Sequence, residues 1–147
     1  MTTEEISYEV DKAGVATLTL TRPATLNALT TDMAVRLLPQ LCAEAGADSD
    51  VKVVVITGAG RGFCSGADVV ERIPTVLEGA DTATLERQVG AFVLPVWQIP
   101  KPVIAAVNGV AAGGGMSIAC AADFRFLARS ARFSAAFVRR GLMRTAD

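Results

Sequence analysis

Two glycine-rich turns hold the residues of this sequence whose types and spacing best suit chemistry. The first lies in the segment GAGRGFCSGAD (58–68), and the second is the glycine run 113–115. Each turn follows a predicted buried strand and precedes a predicted helix. A helix that begins at such a turn directs unpaired N–H groups and the positive end of its dipole into the space above the strand, which suits an anion. Close packing of the backbone is the alternative explanation of the glycines, and both explanations stay open at this point.

Two turns of this kind can direct two backbone N–H groups at a single oxygen atom. Such an arrangement is an oxyanion hole, in which each donor is worth about 3 kcal/mol on a developing enolate or tetrahedral oxyanion. The pair of turns therefore indicates stabilisation of an oxygen on which negative charge builds during a reaction.

The absence of histidine limits the other chemistry that this chain can perform. The sequence contains no His, which removes Ser-His and Cys-His nucleophiles and the usual zinc sites. Its three cysteines, Cys42, Cys64 and Cys120, are odd in number and widely spaced, which is typical of reduced thiols in a cytosol. We predict no metal site, and any acid–base chemistry must come from Asp, Glu, Lys, Tyr, Cys or the backbone.

The composition predicts one globular domain over residues 1–147. A hydrophobic fraction of 51% is enough to build a core, and the apolar runs are too short to cross a membrane. The net charge of −1 does not favour nucleic acid, and the acidic N-terminus lacks the layout of a signal peptide. We therefore expect a cytoplasmic protein without a membrane span or a nucleic-acid partner.

Alternating strands and helices predict an α/β domain with parallel strands. The hydrophobic patterns predict strands at 6–11, 15–21, 51–57, 102–107, 124–128 and 131–133. They predict helices that begin near 30, 68 and 114, with two more at about 83–97 and 135–140. Pro39 lies inside the first helical pattern, where it should kink the helix or cost it roughly 3 kcal/mol.

Four segments in a fixed order resemble the crotonase family, the enoyl-CoA hydratase/isomerase superfamily. They are RPATLNAL (22–29), VVVITGAGRGFCSGADV (53–69), KPVIAAVNGVAAGGG (101–115) and the segment from ADFRF to ARF (122–133). The resemblance implies a spiral of repeated ββα units that binds an acyl-CoA thioester. It also implies a homo-oligomer, a trimer or a dimer of trimers. Coenzyme A would enter as part of the substrate, with no covalently bound cofactor.

The resemblance also implies specific site residues. The oxyanion donors correspond to the backbone N–H groups of Ala67 and Gly114, which would hold the thioester carbonyl. The residues implied to contact CoA are Ala24, Leu26, Ala28, Ser65, Ala67, Asp68, Val69, Gly113 and Gly114. For Asp68, an equally good explanation is that its carboxylate stabilises the start of a helix.

The family's two catalytic acids are missing from the positions where the resemblance would place them. Those positions hold Ser117 and Phe137, neither of which can activate water with a useful pKa. The segment AFVRRGL (136–142) is more similar to a subgroup of isomerases, but Arg144 and Thr145 stand where these have Pro-Asp. Three hypotheses follow: an isomerase-type or hydratase-type enzyme with altered acid–base groups, a non-catalytic acyl-CoA-binding subunit, or a remnant without function.

Members of the family continue with a mainly helical C-terminal part that closes the CoA site and builds trimers. We expect this part to be lacking here, through a frameshift, a shortened gene or a fragment boundary. Of the remaining acids, we expect Glu71, Glu78 and Glu86 to lie on solvated helix faces. We expect Asp123 and Arg125 to stabilise a turn rather than to act in catalysis.

Overall fold

A computed structural model of the chain describes residues 5–71 and 91–136, in which eight strands form two sheets. The larger sheet has the order β1-β2-β3-β5-β7 and the smaller one β4-β6-β8. The strands of the larger sheet are β1 (Ile6–Val10), β2 (Val15–Leu20), β3 (Val53–Gly58), β5 (Val103–Val107) and β7 (Phe124–Leu127). Those of the smaller sheet are β4 (Gly62–Cys64), β6 (Val110–Ala112) and β8 (Arg132–Ser134).

Consecutive strand pairs repeat the same step along the chain. The pairs β3–β4, β5–β6 and β7–β8 each place one strand in each sheet, parallel to the strand of the preceding pair. In the larger sheet, Val54 lies opposite Val103 and Ile104 lies opposite Phe124. The prediction of an α/β domain with parallel strands is confirmed.

The N-terminal hairpin adds the one antiparallel pairing among the described strands, between β1 and β2. The Asp11 carboxylate accepts hydrogen bonds from the N–H groups of Ala13 and Val15, which closes the turn. Along β2, Ala16, Leu18 and Leu20 are fully buried while the residues between them are half-buried. This period-two alternation turns one face of the predicted strand into the core.

The first helix contains an irregular turn immediately before Pro39. The Thr30 hydroxyl accepts a hydrogen bond from the Met33 N–H and so caps the helix start. A π turn (Met33–Leu37) then leads into α1 (Leu38–Ala47), which has Pro39 in its first turn. Because proline has no N–H to donate, a wide turn at this point accommodates the residue that the sequence predicted would disturb the helix.

Two strands and one helix differ from the sequence-based predictions. The strands β4 and β6 were not predicted, because each has only three residues in a glycine-rich segment. The predicted helix at about 83–97 is wrong at 91–93, where the chain forms turns, and within residues 91–97 the helical part is α2 (Leu94–Trp97). Residues 83–90 and most of the helix predicted at 135–140 lie outside the described residues.

The last strands of the two sheets have exposed apolar side chains. Phe124, Phe126 and Leu127 on β7 and Phe133 on β8 are 39–66% exposed. At the start of β7, the Asp123 carboxylate accepts a hydrogen bond from the Val103 N–H, and Arg125 donates to the Ala122 carbonyl. These contacts tie β7 to its neighbours and agree with the structural role that we expected for the Asp123–Arg125 pair.

Candidate functional site

The two glycine-rich turns meet in the structure. We call residues 65–68 the first turn and residues 113–117, the start of helix α3 (Gly114–Ala121), the second turn. Gly66 has φ +97°, and a Cβ added to it would lie 2.8 Å from the Ala112 oxygen and 3.3 Å from the Gly114 nitrogen. A Cβ on Gly115 would overlap the Cys64 carbonyl oxygen. Close packing therefore explains Gly66 and Gly115, and it brings the two predicted oxyanion turns side by side.

The backbone geometry leaves the Ala67 and Gly114 N–H groups unused within residues 5–71 and 91–136. Leu29 bridges Ala67 in parallel: its N–H donates to the Gly66 oxygen, and its oxygen accepts from the Asp68 N–H, both at 2.8 Å. In a parallel bridge of this type the N–H of the central residue points away from the partner strand. Gly114 is the first residue of α3, and its N–H has no partner within the helix.

Asn27 holds the apolar loop 22–29, and sequence analysis did not identify it. It is fully buried, and both it and Leu26 have left-handed backbone angles, with φ +58° and +54°. Its side-chain oxygen accepts from the Arg22 N–H at 2.9 Å, and its amide group donates to the carbonyls of Ala59 and Gly62. The signal available in the sequence was the one amide side chain in a mostly apolar loop.

Loop 22–29 packs along the first turn, so two of the three segments predicted to contact CoA come together there. The Ser65 N–H donates to the Leu26 oxygen at 2.9 Å, and the Ser65 hydroxyl donates to the Thr25 oxygen at 3.0 Å. Of the predicted set, Ala24 and Val69 are exposed, Leu26, Ser65 and Ala67 are half-buried, and Ala28, Asp68, Gly113 and Gly114 are buried. Contact with CoA stays a prediction for all of them.

Asp68 has structural partners of its own. Its carboxylate lies 2.9 Å from Arg22 Nη2 and accepts the Val70 N–H at the start of the helix that begins at residue 69. Burial alone would raise the pKa of Asp68, but the hydrogen bonds from Arg22 and from the backbone of Glu71 and Val70 outweigh it, and the pKa is lowered. The helix-start explanation of Asp68 is therefore supported.

No described residue of the two turns supplies an available carboxylate. Ser117, at a position where the resemblance predicts an acid, has its hydroxyl 3.4 Å from the Gly113 oxygen of its own helix. Glu71 is exposed and accepts the Thr31 N–H at 3.1 Å. Phe137, Glu78 and Glu86 lie outside the described residues.

The cysteine thiol at the first turn is also unsuited to chemistry. Burial raises the pKa of Cys64 to about 12, against a smaller lowering effect of a backbone hydrogen bond from Gly66, so the thiol is neutral near pH 7. In the described part of the chain, no group of three His, Cys, Asp or Glu side chains could hold a metal ion. No described helix is long and apolar enough to cross a membrane. The candidate site therefore consists of backbone N–H groups and small side chains.

Known proteins are similar to this chain in both sequence and fold. The sequence profile of the enoyl-CoA hydratase/isomerase family matches residues 10–146. The 1,2-epoxyphenylacetyl-CoA isomerase of Escherichia coli K12 is 42% identical over 95% of this chain and 53% of its own length. A probable enoyl-CoA hydratase of Rhodobacter capsulatus is 40% identical over 97% of this chain and 53% of its own length.

A solved structure from Streptomyces coelicolor A3(2), assigned to the enoyl-CoA hydratases, superposes with a TM-score of 0.84. It is 47% identical over 94% of this chain and 50% of its own length. This chain thus spans about half the length of the relatives that it matches, and the crotonase-like fold implied by the resemblance is confirmed. The chain belongs to the enoyl-CoA hydratase/isomerase (crotonase) family.

Proposed function

We propose that this chain binds an acyl-CoA thioester and polarises its carbonyl oxygen with the N–H groups of Ala67 and Gly114. The observation that carries the proposal is that these two donors lack partners among the described residues and lie on turns that touch each other. The family supports the acyl-CoA class of substrate, since the relatives named above act on CoA thioesters or are described as enoyl-CoA hydratases.

The proposed chemistry is of the enoyl-CoA isomerase or hydratase type. Removal of a proton from the carbon beside the thioester, or addition of water to a conjugated double bond, moves negative charge onto the carbonyl oxygen. Two pre-oriented donors would stabilise that oxygen by about 3 kcal/mol each. We assign no proton-transferring residue, because Asp68 is paired with Arg22 and Glu71 with the Thr31 N–H.

A chromophoric thioester tests the polarisation directly. The absorption band of para-dimethylaminocinnamoyl-CoA shifts to the red when hydrogen bonds draw electrons onto its carbonyl oxygen. We expect a red shift on binding, and we expect amide-to-ester replacement of the Ala67 N–H to weaken that shift. Free CoA, which has no acyl carbonyl, is the matched control and should bind both proteins equally. A bound thioester without any red shift would overturn the oxyanion-hole proposal.

A non-catalytic acyl-CoA-binding protein is the second candidate function. Ser117 favours it, because a hydroxyl directed at the Gly113 oxygen stands where the resemblance implies a family carboxylate. This candidate predicts that calorimetry will show saturable binding of an acyl-CoA thioester, and that neither 2-enoyl-CoA nor 3-enoyl-CoA will be turned over. Turnover by the unmodified protein would exclude it. Absence of both binding and turnover would leave the hypothesis of a remnant without function.

The assembly state and the location in the cell stay predictions. The family resemblance implies a trimer or a dimer of trimers, and the three free cysteines suit a reducing cytoplasm. Size-exclusion chromatography with light scattering would test the first prediction, and a monomer at working concentration would contradict it.

A further inference from the structure

We propose that Arg22 and Asp68 form a positioning pair that fixes the direction of the Ala67 N–H and so sets how strongly a bound thioester carbonyl is polarised. Neither side chain would need to touch the ligand. The inference rests on the proposed function and deepens it, because it identifies the side chains on which one backbone donor depends.

The guanidinium of Arg22 has three partners. Its Nη1 donates to the Ala28 oxygen at 2.6 Å, its Nη2 lies 2.9 Å from Asp68 Oδ2, and its Nε lies 3.5 Å from Glu5 Oε1. The side chains of Arg22 and Asp68 are only 24% and 12% exposed. A planar guanidinium group that is largely shielded from water holds its hydrogen-bond acceptors in a defined geometry, whereas the ammonium group of a flexible lysine would not.

The Arg22 contacts lie on both sides of the bridge between Leu29 and Ala67. On one side Arg22 holds the carbonyl of Ala28, the residue before Leu29, and on the other it holds the side chain of Asp68, the residue after Ala67. The contacts therefore close a ring around the bridge. Gly66 precedes Ala67 at φ +97° and carries no side chain that could restrict rotation of the peptide. The carbonyl of the peptide that carries the Ala67 N–H is the Gly66 oxygen, which accepts the Leu29 N–H at 2.8 Å. Without the ion pair, the two hydrogen bonds of the bridge to Leu29 would be the remaining restraint, and the direction of the Ala67 N–H would be less sharply fixed.

Asp68 also accepts the Val70 N–H at the helix start, so its loss could act through helix capping alone. Two conservative variants separate these roles. Asp68→Asn keeps a side-chain oxygen that can cap the helix but removes the charge. Arg22→Lys keeps the positive charge but removes the planar guanidinium group. A positioning role predicts that both variants weaken carbonyl polarisation, whereas a capping role predicts that neither does.

The chain contains a matched control pair. Arg36 and Asp32 form an ion pair of the same chemical type, four residues apart on the first helix, with side chains 59% and 48% exposed. The variants Arg36→Lys and Asp32→Asn repeat the two substitutions away from the bridge between Leu29 and Ala67. We expect them to leave both binding and polarisation unchanged, because exposed pairs of this kind contribute little.

The experiment measures the dissociation constant and the bound absorption maximum of para-dimethylaminocinnamoyl-CoA for each variant. We expect Arg22→Lys and Asp68→Asn each to lose about half or more of the wild-type red shift, with Kd changed less than about threefold. The double variant should lose no more than the larger single loss, because the two residues act as one unit.

Full red shifts in both folded variants would overturn the positioning role while leaving the proposed function intact. The absence of a red shift in the wild-type protein would overturn both. Far-UV circular dichroism identifies a variant that does not fold. In that case the red shift of the variant that folds decides between the positioning role and the capping role. Asp68→Asn is the milder change because it keeps the side-chain oxygen that caps the helix.

Discussion

The two turns of the candidate site adjoin each other but are held in place by different forces. The first turn, residues 65–68, is held by polar contacts with loop 22–29, above all by the Arg22–Asp68 pair and by the hydrogen bonds that Ser65 donates to loop carbonyls. The second turn, residues 113–117, has no side-chain cap on its helix and is held by backbone packed against backbone. The first turn can therefore be adjusted by altering polar contacts, whereas the second tolerates little added volume.

The largest expected effect is that of Gly115→Ala in the second turn. The new Cβ would overlap the Cys64 carbonyl oxygen and lie 2.6 Å from the Cys64 Cβ. The Cys64 carbonyl belongs to the backbone and cannot rotate away as a side chain can. We therefore expect a loss of about 4 kcal/mol in the free energy of unfolding, measured with urea.

Gly114→Ala is the matched control for that substitution. Its Cβ would meet the Phe92 ring at 3.0 Å and the Leu29 side chain at 3.5 Å, and both of these can shift. We expect Gly114→Ala to lower the free energy of unfolding by less than half as much as Gly115→Ala. Equal losses in the two variants would contradict the idea that backbone contact governs the second turn.

Asn27→Ala should have the next largest effect, through loop 22–29 that supports the first turn. It leaves the Arg22 N–H and the Ala59 oxygen without their side-chain partner and places alanine at φ +58°. The Gly62 oxygen keeps a hydrogen bond from Asn108 at 3.1 Å. We expect a loss of about 3 kcal/mol in urea unfolding. A loss below about 1 kcal/mol would show that loop 22–29 is held mainly by packing.

Gly66→Ala tests the point at which the two turns touch. The substitution places a side chain at φ +97° and 2.8 Å from the Ala112 oxygen. We expect it to cost about 2 kcal/mol in urea unfolding and to weaken thioester binding, because it must separate Ala67 from Gly114. Gly60→Ala is the control, because Gly60 has φ +72° and shares the backbone penalty, while its added Cβ would meet Pro23 at 2.9 Å and neither of the two turns. Unchanged thioester binding in Gly66→Ala would argue against a site shared by the two turns.

The smallest expected effect is the pH dependence contributed by Asp68. Its pKa is lowered in the folded protein, so its ionised form stabilises the fold above the unfolded pKa of about 3.9. That contribution is lost as the pH falls through the lower folded value. We expect the difference in unfolding free energy between wild type and Asp68→Asn to narrow as the pH falls below about 4. A difference that is constant from neutral to acidic pH would show that Asp68 acts through its capping contacts alone.

Local elements and motif order could be predicted from the sequence because their signals are short-range. The strands β2 and β3 and the start of the first helix near residue 30 each depend on residues close together in the chain, and each is present in the structure. The same applies to the family, because its motifs stand in the chain in the expected order.

Tertiary structure alone decided how the turns are built and held. The strands β4 and β6 are three residues long and exist because each has a neighbour in the smaller sheet. The Asn27 amide donates to carbonyls 32 and 35 residues further along the chain, and the sequence contains no periodic pattern that predicts such a contact. Arg22 reaches Asp68 in the same way. The sequence by itself determined the family, the α/β class and the two glycine-rich turns, because these depend on residue types in order. The partners of Asn27, Arg22 and Gly115 depend on distances that exist only after the chain has folded.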